Sequence, residues 1–246
     1  TAVSNGLMDI PVVINSHGGR ARAIASGELP IDVAFLGVPS CDPYGNANGY
    51  SRQNSAASAC GSLGYAKVDA QYAKNVILIT DNLVEYPNVP FGISESQADF
   101  VVVVDSIGDP KGIVSGATRY TNNPKELLIA KKAADVIEAS GYFIDGYSLQ
   151  TGSGGASLAT TRFLREKMIA ANIKASFALG GITAQIVEMH EEGLIQRLLD
   201  VQSFDLTAVE SLRNNRFHHQ IDAEYYASSD NEGCAAHQLD VVVLSA

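Results

Sequence analysis

The sequence is poor in basic residues, has few cysteines and contains no long apolar run. Its 17 Lys and Arg residues face 27 Asp and Glu residues, which gives a formal net charge of −10. Such an acidic chain disfavours binding to nucleic acid or to an anionic membrane surface. The apolar run Val101–Val104 is only long enough for a strand, whereas a membrane-spanning helix needs about 20 residues. Residues 1–10 lack the basic start and the apolar core of a signal peptide.

The three cysteines, Cys41, Cys60 and Cys234, are odd in number and lie far apart. This pattern offers neither a disulfide framework nor the Cys-x-x-Cys spacing of a metal site, so we expect no bound metal. A reducing, cytoplasmic compartment fits it best. Each cysteine is more typical of a small buried apolar residue than of a catalytic nucleophile.

Strand-like apolar runs alternate with helical segments along much of the chain. Several runs are apolar at both odd and even positions and rich in Val and Ile, as in strands covered on two faces. The predicted fold class is α/β, with open, largely parallel sheets covered by helices. The predicted strands are residues 11–16, 32–39, 75–80, 100–105, 146–151, 175–180, 198–204 and 239–246.

The clearest predicted helix spans residues 123–141. Asn123 is a suitable N-cap, Pro124 suits the first turn, and Glu126 has the spacing of a capping box. Gly141 is suited to end the helix. An apolar stripe at helical spacing supports the assignment, and it consists of Leu127, Ala130, Ala134 and Ile137.

Residues 115–123 are polar and rich in turn formers, which predicts a domain boundary near residue 120. Residues 29–42 and 237–246 echo each other faintly, because each has an Asp before an apolar strand-like run. Two similar halves would explain this echo. Chance is the alternative, since an Asp before a buried strand is common.

The stretch SLQTGSGGASLATTRFL, residues 148–164, joins a strand-like run to a helix-like run through small residues. It fails the Rossmann fingerprint, because Ser157 stands where Gly or Ala is needed, and no Gly-Lys-Ser/Thr of a P-loop follows. Such a loop lets backbone N–H groups approach an anion or an oxyanion, aided by the helix dipole. A tight turn without a ligand is the alternative.

Two further glycine pairs, at positions 18–19 and 180–181, also follow strand-like runs. Open α/β sheets bind ligands at strand ends, so three such loops are more informative than one. His17 beside the first pair is more typical of a histidine bonded to its own loop than of a catalytic group. Arg20 is either a bidentate carboxylate clamp or a solvated surface charge.

The long motifs of the chain are SHGGRARAI (16–24), IDVAFLGVPSCDPYGNANGY (31–50), CGSLGYAKVDAQYA (60–73), NPKELLIAKKAADVIE (123–138), SGYFIDGYSLQTGSGGASLATTRFL (140–164), ASFALGGIT (175–183) and DVQSFD (200–205). Together they resemble the α subunit of citrate lyase, the citrate CoA-transferase component. The resemblance runs over nearly the whole chain, and the length of the motifs makes it specific. Chains of that family are roughly twice this long, which implies residues before Thr1 and after Ala246.

The resemblance implies two CoA-transferase-like halves in tandem, with residues 1–121 as the later part of the first domain and residues 122–246 as the early part of the second. It implies a cytoplasmic transferase that exchanges acetate for citrate on an acetyl thioester. That thioester is of the phosphopantetheine, CoA-like type and is presented by a carrier protein or by CoA, with no permanently bound cofactor. The implied partners are the acyl carrier (γ) subunit, the lyase (β) subunit and further copies of the chain.

The exchange requires stabilisation of a tetrahedral oxyanion and binding of citrate carboxylates more than a protein nucleophile. The oxyanion candidates are the backbone amides of Gly154, Gly155 and Ala156, with Gly180 and Gly181 as neighbours. The substrate-binding candidates are His17, Gly18, Gly19, Arg20, Asn46, Asn48, Arg119, Thr151 and Ser153. Arg20 and Arg119 are the citrate-clamp candidates. For Asn46 and Asn48, turn formation and ligand contact are equally open.

Related glutamate-dependent CoA-transferases carry a Ser-Glu-Asn-Gly motif whose Glu forms a covalent thioester with CoA. Loose alignment on the glycine places Leu179 at that position, and leucine cannot form a thioester. The resemblance therefore implies transfer through a mixed anhydride without a covalent glutamyl-enzyme intermediate. Two rivals stay open: a malonate decarboxylase-type α subunit, and a non-catalytic scaffold that docks the carrier and lyase subunits.

Overall fold

The structure is a computed structural model. It describes residues 2–3, 5–51, 59–109, 112–113 and 121–244. Within these residues, no helix combines the length and the apolar character that spanning a membrane requires.

The first part of the chain builds a parallel three-stranded sheet and two helices. Its elements are α1 (His17–Ala25), β1 (Ala34–Gly37), β2 (Ser40–Cys41), β3 (Ala47–Asn48), α2 (Gly64–Tyr72), β4 (Val76–Thr80) and β5 (Phe100–Val103). The sheet has the order β1–β4–β5, while β2 and β3 form a separate antiparallel pair. Ala34, Leu36 and Leu78 pack with Ala70 of α2 in one apolar core.

The second part builds a parallel five-stranded sheet flanked by helices. Its elements are α3 (Pro124–Ala139), β6 (Ser148–Thr151), α4 (Gly155–Ala171), β7 (Phe177–Ile182), α5 (Ala184–Glu191), β8 (Leu198–Ser203), α6 (Leu206–Asn214), β9 (His218–Gln220), α7 (Ala223–Ala227) and β10 (Val241–Val243). The strand order is β10–β6–β7–β8–β9. Leu149, Ala178 and Leu198 pack with Met168 of α4 and Ile186 of α5.

The helix prediction is confirmed at α3 with its expected cap. The Asn123 side chain accepts a hydrogen bond from the Lys125 N–H at 3.0 Å, and the helix ends just before Gly141, whose φ is +85°. Ala130 and Ala134 of the predicted stripe are fully buried. Periodicity therefore identified the buried face of this helix correctly.

The predicted α/β fold with parallel sheets is confirmed, and seven of the eight predicted strand ranges contain or overlap a strand. The prediction for residues 11–16 is wrong, because these residues pair with no described strand. Val13 and Ile14 are more than 80% exposed there, at 84% and 82%. Ser16 instead caps α1, accepting a hydrogen bond from the Gly19 N–H at 3.0 Å. The Val and Ile residues of this segment favour a strand locally. A strand forms, however, only where a second strand is available to hydrogen-bond with it.

Helix α2 of the first part packs closely against the backbone of the five-stranded sheet. A Cβ atom on Gly64 of α2 would lie 2.5 Å from the carbonyl oxygen of Val201 and 2.6 Å from that of Ile221, so only glycine fits. The Ser62 hydroxyl donates to the Asp200 carbonyl at 2.7 Å across the same contact. The division of the chain at residues 121 and 122 stays a prediction.

Candidate functional site

The carboxyl ends of four neighbouring strands surround a cavity of about 480 Å³. Its wall includes Thr151, Gly152 and Ser153 after β6, and Gly181 in β7. Tyr65, from the first part of the chain, completes it. Ligands of open α/β sheets bind at this edge, and a larger cleft of about 700 Å³ between α5 and α6 has no strand end in its wall. We therefore place the candidate site in the 480 Å³ cavity.

The glycine loop after β6 feeds directly into α4, as the sequence predicts. The Gly152 N–H donates to the Val243 carbonyl at 2.9 Å, which ties the loop to β10. Gly154 is the N-cap of α4 and has no side-chain cap. Among the described residues, the N–H groups of Gly154, Gly155 and Ala156 have no recorded acceptor. These donors sit at the positive end of the helix dipole and are only half-buried, so an anionic oxygen can reach them.

The two glycines in β7 leave room for neighbouring side chains that lie close to the backbone. Gly180 has a φ of +103° and lies at a bulge in the pairing with β8. A Cβ atom on it would lie 3.1 Å from the side-chain nitrogen of Gln150. On Gly181, a Cβ atom would lie 1.8 Å from the ring of Phe204, which also lines the cavity.

A polar cluster that sequence reasoning missed forms one wall of the cavity. The Gln150 amide donates to the Tyr226 hydroxyl at 2.8 Å. The His17 ring lies 5.2 Å from the Tyr65 ring and 6.5 Å from the Tyr226 ring, measured between centroids. Burial raises the pKa of Tyr65 to about 12, so this phenol stays protonated at neutral pH. Gln150 stands in the glycine-loop motif, but no signal in the sequence pairs it with Tyr226.

The predicted binding residues Gly18, Gly19 and Arg20 of α1 each have a partner within the protein. The Gly19 N–H donates to Ser16 and is not free for a ligand. A Cβ atom on Gly18 would lie 1.6 Å from the Ala227 carbonyl oxygen, so this glycine is explained by the packing of α1 on α7. The Arg20 guanidinium bonds both carboxylate oxygens of Asp69, at 2.8 and 3.1 Å. A citrate clamp at Arg20 requires that ion pair to open.

Asn46 and Asn48 do not line the cavity and are instead buried in a hydrogen-bonded turn. The Asn46 amide donates to Asp42 and to Glu95, at 2.9 Å in each case. Asn48 donates to Asn88 at 3.2 Å and accepts from backbone N–H groups. Their side chains are engaged in the turn, which favours turn formation, and ligand contact at these residues stays a prediction. Arg119 lies outside the described residues.

A buried acid lies under the carboxyl half of β8. Asp200 accepts hydrogen bonds from the Ser203 hydroxyl at 2.5 Å and contacts His218 Nε2 at 3.1 Å, while His218 Nδ1 contacts Ser211 at 2.9 Å. Burial raises the pKa of the Asp200 carboxyl, opposed by the hydrogen bond with His218. The Ser203 hydroxyl points at the acid and the Ser211 hydroxyl contacts the imidazole. All four side chains are buried and none lines the cavity, so they form a buried polar network apart from the candidate site.

The thiol of Cys41 is fully buried, and burial together with the negative charge of Asp42 raises its pKa to about 12. This thiol is therefore neither a nucleophile nor a metal ligand in its present setting. In the described part of the chain, no group of three His, Cys, Asp or Glu side chains is arranged to hold a metal ion.

A sequence model of the family "Citrate lyase, alpha subunit (CitF)" matches residues 1–246. The chain belongs to this family. It is 59% identical to the citrate lyase alpha chain of Haemophilus influenzae over 244 residues, which cover 99% of the chain and 48% of the relative. The corresponding chain of Klebsiella pneumoniae is 57% identical, with 99% and 47% covered. The chain thus spans about half the length of the curated relatives it matches.

Solved structures agree with this family and with the fold class. A putative citrate lyase alpha subunit from Streptococcus mutans, solved in complex with citrate, superimposes with a TM-score of 0.92 at 58% identity, covering 100% of this chain and 48% of that one. A 4-hydroxybutyrate CoA-transferase from Porphyromonas gingivalis gives 0.56 at 20% identity, with 91% and 53% covered. The second likeness shows the fold alone, which is that of the CoA-transferases.

Proposed function

We propose that the whole protein is the citrate CoA-transferase component of citrate lyase, which exchanges acetate for citrate on a carrier-bound thioester. The observation that carries the proposal is the family match over every residue of the chain. The citrate complex of the Streptococcus mutans relative supports citrate as the acid. The cavity at the strand ends, with free helix amides beside it, supports acyl transfer at this edge.

In the proposed reaction, a citrate carboxylate attacks the carbonyl carbon of the acetyl thioester. The resulting tetrahedral oxyanion expels the thiolate and leaves a mixed citryl-acetyl anhydride. The thiolate then attacks the citryl carbonyl and releases acetate. Both steps pass through a negative oxygen, which the amides of Gly154, Gly155 and Ala156 would stabilise. One well-aimed donor of this kind contributes about 3 kcal/mol to the transition state.

Direct transfer without a glutamyl intermediate is supported by the position of Leu179. This side chain is 1% exposed and packs in the core with Val68 and Val201. The described wall of the cavity contains no Asp or Glu side chain. Neither feature offers a carboxylate to carry a covalent thioester.

The proposal includes a cytoplasmic setting and an assembly with the acyl carrier (γ) subunit, the lyase (β) subunit and further copies of the chain. It includes a CoA-like thioester as substrate and no permanently bound cofactor. A scaffold function predicts carrier binding without thioester exchange, and a malonate-specific enzyme predicts a different acid preference.

The test is an exchange assay on the full-length protein with its carrier loaded with acetyl groups made from labelled acetate. We expect citrate-dependent release of label, with citrate preferred over citramalate and malonate. Release with malonate alone would assign the malonate-specific alternative, and carrier binding without any release would assign the scaffold.

Two further measurements address the mechanism. Treatment of the acetyl-carrier-loaded protein with borohydride or hydroxylamine should trap no glutamyl adduct, and such an adduct would refute direct transfer. Gly155→Val should lower turnover by about a hundredfold or more, because it obstructs the helix amides. Gly37→Val is the matched control, since a Cβ atom on Gly37 meets no atom within 4 Å. Equal turnover of the two variants would remove the loop from the chemistry.

A further inference from the structure

The Tyr226 hydroxyl is a hydrogen-bond donor without a recorded acceptor in the described part of the chain. Tyr226 lies in α7, whose first turn is fixed by Asp222, which accepts from the Tyr225 N–H at 2.7 Å. The side chain lines the cavity, yet the residue is only 8% exposed. Its oxygen accepts from the Gln150 amide at 2.8 Å, so the phenol proton is left to point elsewhere.

Gln150 is itself held in one place by its surroundings. It stands on β6, immediately before Thr151 and the glycine loop. Gly180 of the neighbouring strand leaves room for it, because a Cβ atom there would crowd the Gln150 amide nitrogen at 3.1 Å. The missing side chain at position 180 thus lets Gln150 reach across to Tyr226.

The described wall of the cavity contains no Lys, Arg, Asp or Glu side chain, and His17 is its one basic side chain. Tyr65, whose pKa is raised to about 12 by burial and by the proximity of Tyr226, stays a neutral phenol. A citrate trianion requires strong positive charge when it leaves water, and this wall has no Lys or Arg to supply it. A carbonyl oxygen that gains charge only during reaction is better matched to neutral donors in a site of low polarity.

We propose that Tyr226 donates a hydrogen bond to the carbonyl oxygen of the thioester acyl group, and that Gln150 is the positioning residue that directs this phenol. The inference rests on the proposed acyl transfer and adds a side-chain donor to the backbone amides of the glycine loop. It also assigns this cavity to the thioester and not to the citrate carboxylates.

The first experiment compares steady-state exchange by the full-length wild type, Tyr226→Phe and the matched control Tyr225→Phe. Tyr225 is the adjacent residue on the same helix and is 40% exposed. We expect Tyr226→Phe to lower kcat between tenfold and a hundredfold with little change in the KM for citrate, because the lost donor acts on the transition state. Tyr225→Phe should match the wild type. A Tyr226→Phe kcat within twofold of the wild type overturns the proposal.

The second experiment tests the direction of the Gln150 hydrogen bond. Gln150→Glu keeps the size of the side chain, but its carboxylate can only accept, so it draws the Tyr226 proton away from the substrate. We expect a loss in kcat comparable with that of Tyr226→Phe, and no further loss when the two changes are combined. A merely structural role predicts normal kcat in Gln150→Glu, and that result overturns the positioning assignment.

The outcomes distinguish a failure of the proposed function from a failure of the Tyr226 inference alone. Absence of exchange in the wild type refutes the proposed function and this inference with it. Exchange in the wild type with unaffected Tyr226→Phe refutes the inference alone. If Tyr226→Phe does not fold by circular dichroism, the kcat of Gln150→Glu decides the matter, since that variant keeps the phenol in the core.

Discussion

Gly181 lines the candidate site, and a side chain at this position would overlap with the ring of Phe204. In Gly181→Ala, the new Cβ atom would lie 1.8 Å from Cε2 of Phe204. Ordinary carbon contacts are about 3.5 Å or longer, so the ring must retreat by about 1.7 Å. Overpacking of this kind costs about 1–3 kcal/mol. Alanine also lowers the conformational entropy of the unfolded chain, which raises the free energy of unfolding by at most about 1 kcal/mol. We expect a net loss of about 1–2 kcal/mol in the free energy of unfolding.

The assay is urea unfolding followed by circular dichroism, with Gly37→Ala as the control. Gly37 also lies in a strand, but a Cβ atom there meets nothing within 4 Å, so its change should not destabilise the chain. Phe204→Leu removes the ring edge that the new methyl group strikes. The double variant should therefore cost about 1 kcal/mol less than the sum of the two single changes. Unchanged stability in Gly181→Ala, or strict additivity in the cycle, would show that the ring does not occupy this volume.

Three further predictions concern packing, reactivity and pH. Gly18→Ala should destabilise the chain by about 3 kcal/mol or more in thermal melts, because its Cβ atom would lie 1.6 Å from a backbone oxygen of Ala227. Gly233→Ala, which makes only an ordinary contact, is the control. Cys41, with a pKa raised to about 12 by burial, should resist iodoacetamide in the folded chain and react fully in urea, as mass spectrometry would show. Burial also raises the pKa of Asp200, so its stabilising contribution is complete below the unfolded value of about 3.9 and is lost as the pH rises through the folded value. Relative to Asp200→Asn, the wild type should therefore lose stability as the pH increases above about 4, measured by paired urea titrations; a constant difference would contradict the assignment.

The sequence predicted local structure well where one segment determines it. The cap at Asn123 and the buried alanines of α3 follow from short-range rules, and the loop after β6 follows from its glycines. The failures concern contacts between distant segments. Arg20 has its partner in Asp69 on another helix, and Gln150 of β6 bonds Tyr226 of α7 in the wall of the cavity. No spacing rule reports such pairs, because their members lie 49 and 76 residues apart and meet only when the tertiary fold has formed.

The glycines of the three predicted glycine loops divide into two physical classes. Gly18 and Gly181 have their missing Cβ volume filled by protein atoms, at 1.6 and 1.8 Å respectively, so packing alone requires them. Gly154 and Gly155 instead begin a helix whose first amides lack acceptors among the described residues. Donors at a half-buried helix start can bind water or an anionic ligand, whereas a volume already filled by protein atoms leaves no room for one. This division supports the proposal that the oxyanion site lies in the loop after β6, where Gly181 of β7 lines the same cavity.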